Sequence, residues 1–225
     1  MQVIIFNPSI KHFILKLRYF NYFRVVDDSD LALYTVGDGK LVQHNTKTEK
    51  FFDIFSLPDF ITGNKPNVSQ ALWKTLDDKN VLVLGLDDGS VQFYHIPGFK
   101  LFMSLKSHKK LIQSLEFSPD FLSGGEEAKY KGWLATASNE NDIHLWDLGS
   151  ILAGALSAEP GEEPLIFVTP TAVLVGHCLR VIELAWSPHK DGKLVSVSYD
   201  CSAQVWDVET LLPTFNFQVR LVLII

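Results

Sequence analysis

The stretch GHCLRVIELAWSPHKDGKLVSVSYDCSAQVWD, residues 176–207, opens with Gly-His and closes with Trp-Asp. Its second half holds two alternating apolar runs, LVSVS (194–198) and AQVW (203–206), joined by the short polar turn Tyr199-Asp200-Cys201. Period-two alternation on both sides of such a turn is the pattern of a β-hairpin. The hairpin recurs. LVSVSYDCSAQVWD (194–207) aligns with LATASNENDIHLWD (134–147), with LVLGLDDGSVQFYH (82–95) and, less well, with ALYTVGDGKLVQHN (32–45).

Three of the hairpins follow a strand that ends in an aromatic residue: VSQALW to Trp73, LIQSLEF to Phe117 and VIELAW to Trp186. From that aromatic to the one closing the hairpin is 21 residues for Trp73 to Tyr94 and 20 for Trp186 to Trp206. Phe117 to Trp146 takes 29, and the excess falls in SPDFLSGGEEAKYKG (118–132), which reads as an enlarged surface loop. A further short strand follows each hairpin: FFDIF, LFMSL, AVLVG and TFNF. The Pro- and Glu-bearing SAEPGEEPL (157–165) interrupts the third unit and is predicted to be a flexible surface loop.

Four antiparallel strands per unit, with Gly-His and Trp-Asp marks, resemble WD40 propeller blades. The predicted fold is all-β, a partial WD40 β-propeller of about three and a half four-stranded blades, at 31–56, 67–105, 108–175 and 177–217. In WD40 blades His, Ser, Asp and Trp at the marked positions form a buried hydrogen-bonded network that pins loops to the sheet. The resemblance places that structural role on His177, Ser198, Asp200 and Trp206. The third unit keeps His108, Ser138 and Trp146 with Glu140 for the Asp, the second keeps Asp88, and the first keeps Asp38. Propellers usually close with about seven blades. Residues 1–30 and 218–225 fit no blade, so the expectation is a fragment or an imperfect gene model that expresses poorly alone.

The chain has 225 residues, 47% hydrophobic and 20% charged, which excludes a largely disordered protein. A net charge of -6 gives no footprint for broad, sequence-blind nucleic-acid binding, so any such contact has to be local. Cys178 and Cys201 are the two cysteines and have no metal-ligand spacing, which points to a reducing compartment. His44, His95, His108, His144, His177 and His189 show no ligand spacing either, so no metal and no cofactor is predicted. The apolar start is broken by Lys11, Lys16, Arg18 and Arg24, too often for a membrane span, and it lacks the marks of a signal peptide. Asn67-Val68-Ser69 matches a glycosylation acceptor but begins a predicted strand. Without a phosphate loop, a nucleophile elbow or a placeable carboxylate pair, the chain reads as a non-enzyme.

The segments VGHCLRVIELAWSPHKDGKLVSVSYDCSAQVWD, LALYTVGDGKLVQHN, DGSVQFYHIPGFKLF and SLKSHKKLIQSLEF resemble, in order, the latter part of the second propeller of the Gem-associated protein 5 family. The likeness covers roughly residues 30–217 and is most specific at AWSPHKDGKLVSVSYD. It implies binding of the Sm site of spliceosomal snRNAs and of the 7-methylguanosine cap. It also implies partnership with proteins of the survival-motor-neuron (SMN) complex, and a cytoplasmic location with a nuclear, gem-body pool. It further implies an RNA-binding role for Arg180, where the family has a lysine, and for Tyr199. Arginine keeps the charge and changes the geometry. Several aromatics that complete the family's site lie in blades outside this sequence, so the two residues are expected to form one corner of a larger site.

The loop before a blade's first strand and the turn after its second lie on one propeller face, so Arg180 and Tyr199 are expected side by side. A cation beside an aromatic plate suits phosphate and splayed bases. Lys109 and Lys110 in SHKKL read as a solvated turn, ahead of added charge on the same face. The alternative function is a WD40 scaffold that grips peptide motifs of protein partners without RNA.

Overall fold

A computed structural model describes residues 32–37, 40–45, 50–56, 68–76, 79–96, 100–119, 132–149, 163–189 and 191–218. The atypical start at 1–30, the tail beyond 218 and most of the 118–132 insert lie outside the described residues. The chain divides into two units, Met1–Val68 and Ser69–Ile225.

The first unit contains an antiparallel sheet of β1 (Ala32–Gly37), β2 (Lys40–Asn45) and β3 (Lys50–Ser56), in that order. The register runs from Ala32 opposite Asn45 to Gly37 opposite Lys40, as the alternation of the ALYTVGDGKLVQHN segment requires.

The second unit holds three sheets. The strands of the first are β4 (Val68–Leu76), β5 (Lys79–Leu86), β6 (Val91–Ile96) and β7 (Lys100–Leu105), with β11 (Leu165–Phe167) beside β7. The second runs β8 (Ile112–Phe117), β9 (Trp133–Ser138), β10 (Ile143–Asp147) and β12 (Ala172–Leu174). The third runs β13 (Val181–Trp186), β14 (Lys193–Ser198), β15 (Ser202–Asp207) and β16 (Leu212–Gln218). These are the second, third and fourth blades, and the partial-propeller reading of the sequence holds.

One element differs from that reading. Leu165–Phe167 lies at the end of the predicted loop and within the span assigned to the third blade. It pairs in parallel with β7 of the second blade, Leu165 opposite Met103 and Phe167 opposite Leu105, and Lys106 N–H donates to Phe167 O at 2.7 Å. The physical reason is the outer edge of β7, whose backbone groups would otherwise lack partners. Three apolar residues after a proline suffice to cover it, and three are too few for alternation to reveal them.

Alternation decides which side chains meet between the sheets. Phe117, Leu134 and Trp146 point to one side of the third blade and pack with Val81, Val83, Phe93 and Met103 of the second. Ala135, Ala137, Ile143 and Leu145 point to the other side and pack with Leu184, Leu194, Trp206 and Val208 of the fourth. The third blade is therefore buried on both faces. The fourth buries one face only. Its far face carries Val195, Val197, Ala203 and Val205 half-buried, with Phe215 and Phe217 62% and 55% exposed.

The loops are equally close-fitting. Gly89 ends the Asp87-Asp88-Gly89 turn at φ 86°, in the left-handed region that favours glycine. A Cβ there would stand 2.5 Å from His108 O and 2.9 Å from Lys110 O. The turn of the second blade thus presses on the entry loop of the third. In the fourth blade the equivalent left-handed position is Cys201, at φ 62°.

Candidate nucleic-acid interface

The loop 177–180, which enters β13, and the turn 199–201, which joins β14 to β15, are tied together by a buried polar chain. Trp206 Nε1 donates to Ser196 Oγ at 2.8 Å, and that hydroxyl stands 2.7 Å from His177 Nε2. Nδ1–H of His177 donates to Asp200 Oδ2, 2.9 Å away. Asp200 also accepts Cys178 N–H at 2.9 Å, Ser202 N–H at 2.9 Å and the Ser202 hydroxyl at 2.6 Å.

The serine that joins His177 to Trp206 is therefore Ser196, where the sequence pointed to Ser198. Ser198 does a different job: its hydroxyl donates to Leu179 O at 2.9 Å and accepts Asp200 N–H at 3.1 Å. Both serines lie on the buried face of β14 two residues apart, and spacing alone does not tell which reaches the imidazole.

The third blade repeats the chain with other residues. Trp146 Nε1 donates to Thr136 Oγ1 at 3.2 Å, Thr136 Oγ1 lies 3.0 Å from His108 Nε2, and His108 Nδ1 lies 3.1 Å from Glu140 Oε2. Ser138 Oγ donates to the same Glu140 oxygen at 3.0 Å. His144, which the sequence singled out only for lacking metal-ligand spacing, stacks on His108 with ring centres 3.8 Å apart and planes 7° from parallel. Its Nδ1 is 2.6 Å from Ser107 Oγ. In the fourth blade these two positions hold Gln204 and Gly176, so the stacked pair belongs to the third blade alone among the two.

Burial first, and then the charge of His108, lowers the pKa of His144 to about 4. Burial also lowers His108, against the pull of Glu140 and Asp142. An unfolded histidine titrates near its ordinary value, so between about 6.5 and about 4 the unfolded chain binds more protons than the folded one. Stability contributed by neutral His144 is thus present above about pH 6.5 and is lost as pH falls toward 4. Glu116, pushed up to about 7 by burial, works in the opposite sense over part of that window. The diagnostic is therefore a difference between variants. His144→Gln is expected to lose about 2 kcal/mol less than wild type between pH 7 and pH 4.5, read from urea midpoints.

On the surface of these loops stand Arg180 and Tyr199. Tyr199 N–H donates to Arg180 O at 3.1 Å, and the guanidinium carbon of Arg180 lies 3.9 Å from the centre of the Tyr199 ring. The two are neighbours, as the sequence led us to expect, and the cation lies over one face of the ring. Tyr199 is 53% exposed, as is Leu179 beside it, and Arg180 is exposed. A base joining this stack does so on the other ring face or on the outer face of the guanidinium.

The third blade carries the same backbone bridge, Asn139 N–H to Leu111 O at 2.9 Å, with exposed Lys109 and Lys110 just before it. The two blades are linked here by Val181 N–H to Glu140 O at 3.1 Å and by Asn141 Nδ2 to His177 O at 3.2 Å. Among the described residues, no three His, Cys, Asp or Glu side chains converge as metal ligands would.

Residues 168–207 match the WD40 family, described as "WD domain, G-beta repeat". Over 198 residues, 85% of the chain, the sequence is 34% identical to Gem-associated protein 5 of Mus musculus. Over 84% of the chain it is 32% identical to Gem-associated protein 5 of Homo sapiens. The chain spans 12% of the length of each of these relatives. It is also 28% identical to WD repeat-containing protein 1 of Gallus gallus, over 60% of this chain and 18% of that one. Among solved structures, a chain of the "Crystal Structure of Mitotic Checkpoint Complex" shares the fold with a TM-score of 0.59 at 17% identity, covering 97% of this chain and 59% of that one. With its four-stranded blades and His-to-Trp chains, the molecule is a WD40-repeat protein built of β-propeller blades, similar over most of its length to Gem-associated protein 5.

Proposed function

We propose that this chain is an RNA-binding WD40 protein acting in spliceosomal snRNP assembly. In this reading it contacts the Sm site and 7-methylguanosine cap of an snRNA, in company with SMN-complex proteins. Its role is binding rather than catalysis, carried out in the cytoplasm with a nuclear pool. Among the described residues no helix is long and apolar enough to cross a membrane.

The single observation that supports this most is the exposed Arg180–Tyr199 stack, held rigid from below by the chain from Asp200 to Trp206. Recognition of single-stranded RNA relies on unstacked bases placed against aromatic rings and guanidinium planes, and a pre-formed stack offers both without ordering cost. Arg180 adds the one fixed positive charge of the pair. The similarity to Gem-associated protein 5 supplies the class of RNA.

The test is fluorescence anisotropy with a capped, Sm-site RNA and the 225-residue chain. Tyr199→Ala and Arg180→Ala are each expected to weaken binding by about 1–3 kcal/mol, roughly fivefold to 150-fold. Tyr199→Phe keeps the ring and is expected to bind as wild type does. Wild-type binding indifferent to all three changes removes the stack from the site. Absence of wild-type binding, with capture of a peptide partner instead, favours the scaffold function.

A further inference from the structure

We infer that the RNA path extends from the Arg180–Tyr199 stack onto the third blade, where Lys109 and Lys110 take the phosphates next to the stacked nucleotide. This deepens the RNA-binding reading and rests on it.

The loops of the third and fourth blades are structurally equivalent. His108 and His177 hold the same position in their blades, each hydrogen-bonded to the acidic residue of the following turn. Counting from them, Lys109 and Lys110 stand where Cys178 and Leu179 stand, and Leu111 where Arg180 does. Likewise Asn139 stands where Tyr199 does, and the bridge from Asn139 N–H to Leu111 O repeats that from Tyr199 N–H to Arg180 O. The two lysines therefore lie on the loop that corresponds to the one carrying the stack, on the same face of the neighbouring sheet.

Continuity is the second point. Glu140 accepts from His108 with its carboxylate and from Val181 N–H with its backbone carbonyl, and Val181 is the residue after Arg180. The lysine loop is thus tied to the arginine loop through one turn. Lys109 N–H also points to the Glu140 carboxylate, at 3.4 Å.

Charge is the third. Both lysines are exposed, and among the described residues neither ammonium is in a salt bridge. Two of the carboxylates on the adjoining turns are already engaged. Glu140 is taken by His108 and Ser138, and Asp88 by the N–H and hydroxyl of Ser90. In a chain of net charge -6, Lys109 and Lys110 are two adjacent cations on the loop equivalent to the one that carries the stack. Their chemistry fits a polyanion that runs along the loop edge: single-stranded RNA, bound through its backbone here and through a base at Tyr199.

Phosphate contacts and base contacts separate by salt. Each phosphate neutralised on a single strand adds about 0.7 to the slope of log affinity against log salt, whereas stacking adds nothing. The experiment is a salt titration of the 225-residue chain binding a fluorescent, uncapped, uridine-rich single-stranded RNA. Wild type, Lys109→Ala/Lys110→Ala, Arg180→Ala and Tyr199→Ala are compared. The double lysine variant is expected to lower the slope by about 1.4 and to weaken uridine-rich and control RNA alike. Tyr199→Ala is expected to weaken binding with the slope unchanged. Melting temperatures equal to wild type confirm that the exposed lysines leave the fold intact. A double variant with wild-type slope and affinity, beside a weakened Tyr199→Ala, overturns the extension and leaves the stack as the site. No binding by wild type at any salt overturns the RNA reading itself, and the extension with it.

Discussion

Trp206→Ala is expected to destabilise the fourth blade by about 3–5 kcal/mol. The indole is fully buried, packed with Leu194 and Val208 and with Ala135, Ala137 and Leu145 of the third blade. Gly176 is glycine so that this ring can lie against it: a Cβ there would stand 2.9 Å from the indole edge. Truncation opens a cavity between two sheets that cannot collapse independently. It also leaves Ser196 Oγ without its donor at the centre of the polar chain. Denaturant unfolding followed by circular dichroism checks this. A loss below about 1 kcal/mol would mean that the sheets are not packed through Trp206.

Asp200→Ala comes next, with an expected loss of about 3 kcal/mol. One carboxylate, 13% exposed, accepts from His177 Nδ1, Cys178 N–H, Ser202 N–H and the Ser202 hydroxyl. Alanine leaves these donors unpaired beside a buried imidazole, and stranded buried donors cost more than the bonds themselves contributed. Burial works to raise the pKa of Asp200. The Ser202 hydroxyl, Cys178 N–H and His177 outweigh it and hold the group well below the usual carboxylate range. A depressed carboxylate contributes its stability at every pH above its unfolded value and loses it only in stronger acid. The loss in Asp200→Ala is accordingly expected to be equal at pH 5 and pH 8. This separates it from the titrating behaviour of His144. Because the same turn carries Tyr199, the variant is also expected to bind RNA less well than its stability alone accounts for.

Much of the fold was legible because its information is local. Strict alternation in LVSVS and AQVW set the hairpin, and the Asp-bearing turn set its register. In that hairpin Leu194 and Trp206 are opposite each other, as are Val195 and Val205. What escaped is non-local or too short. The edge strand Leu165–Phe167 owes its existence to the unpaired rim of β7, some sixty residues away in sequence. The connecting hydroxyls, Ser196 and Thr136, were hidden among strand residues whose spacing fits two candidates equally. His144 joined His108 because the sheet brings the third strand of a blade beneath its entry loop. At the surface, sequence placed Arg180 and Tyr199 in neighbouring loops, and the structure adds that the guanidinium lies over the ring, with Tyr199 N–H bridging to Arg180 O.

In the proposed function, RNA rests on Tyr199 and on the Arg180 guanidinium over its ring. Ultraviolet cross-linking of an RNA carrying 4-thiouridine across its Sm site, followed by mass-spectrometric mapping of the modified peptide, tests it most directly. The account predicts adducts within 194–207, centred on Tyr199 and lost in Tyr199→Ala. Adducts confined to other segments, with the Tyr199 peptide unmodified, would contradict it.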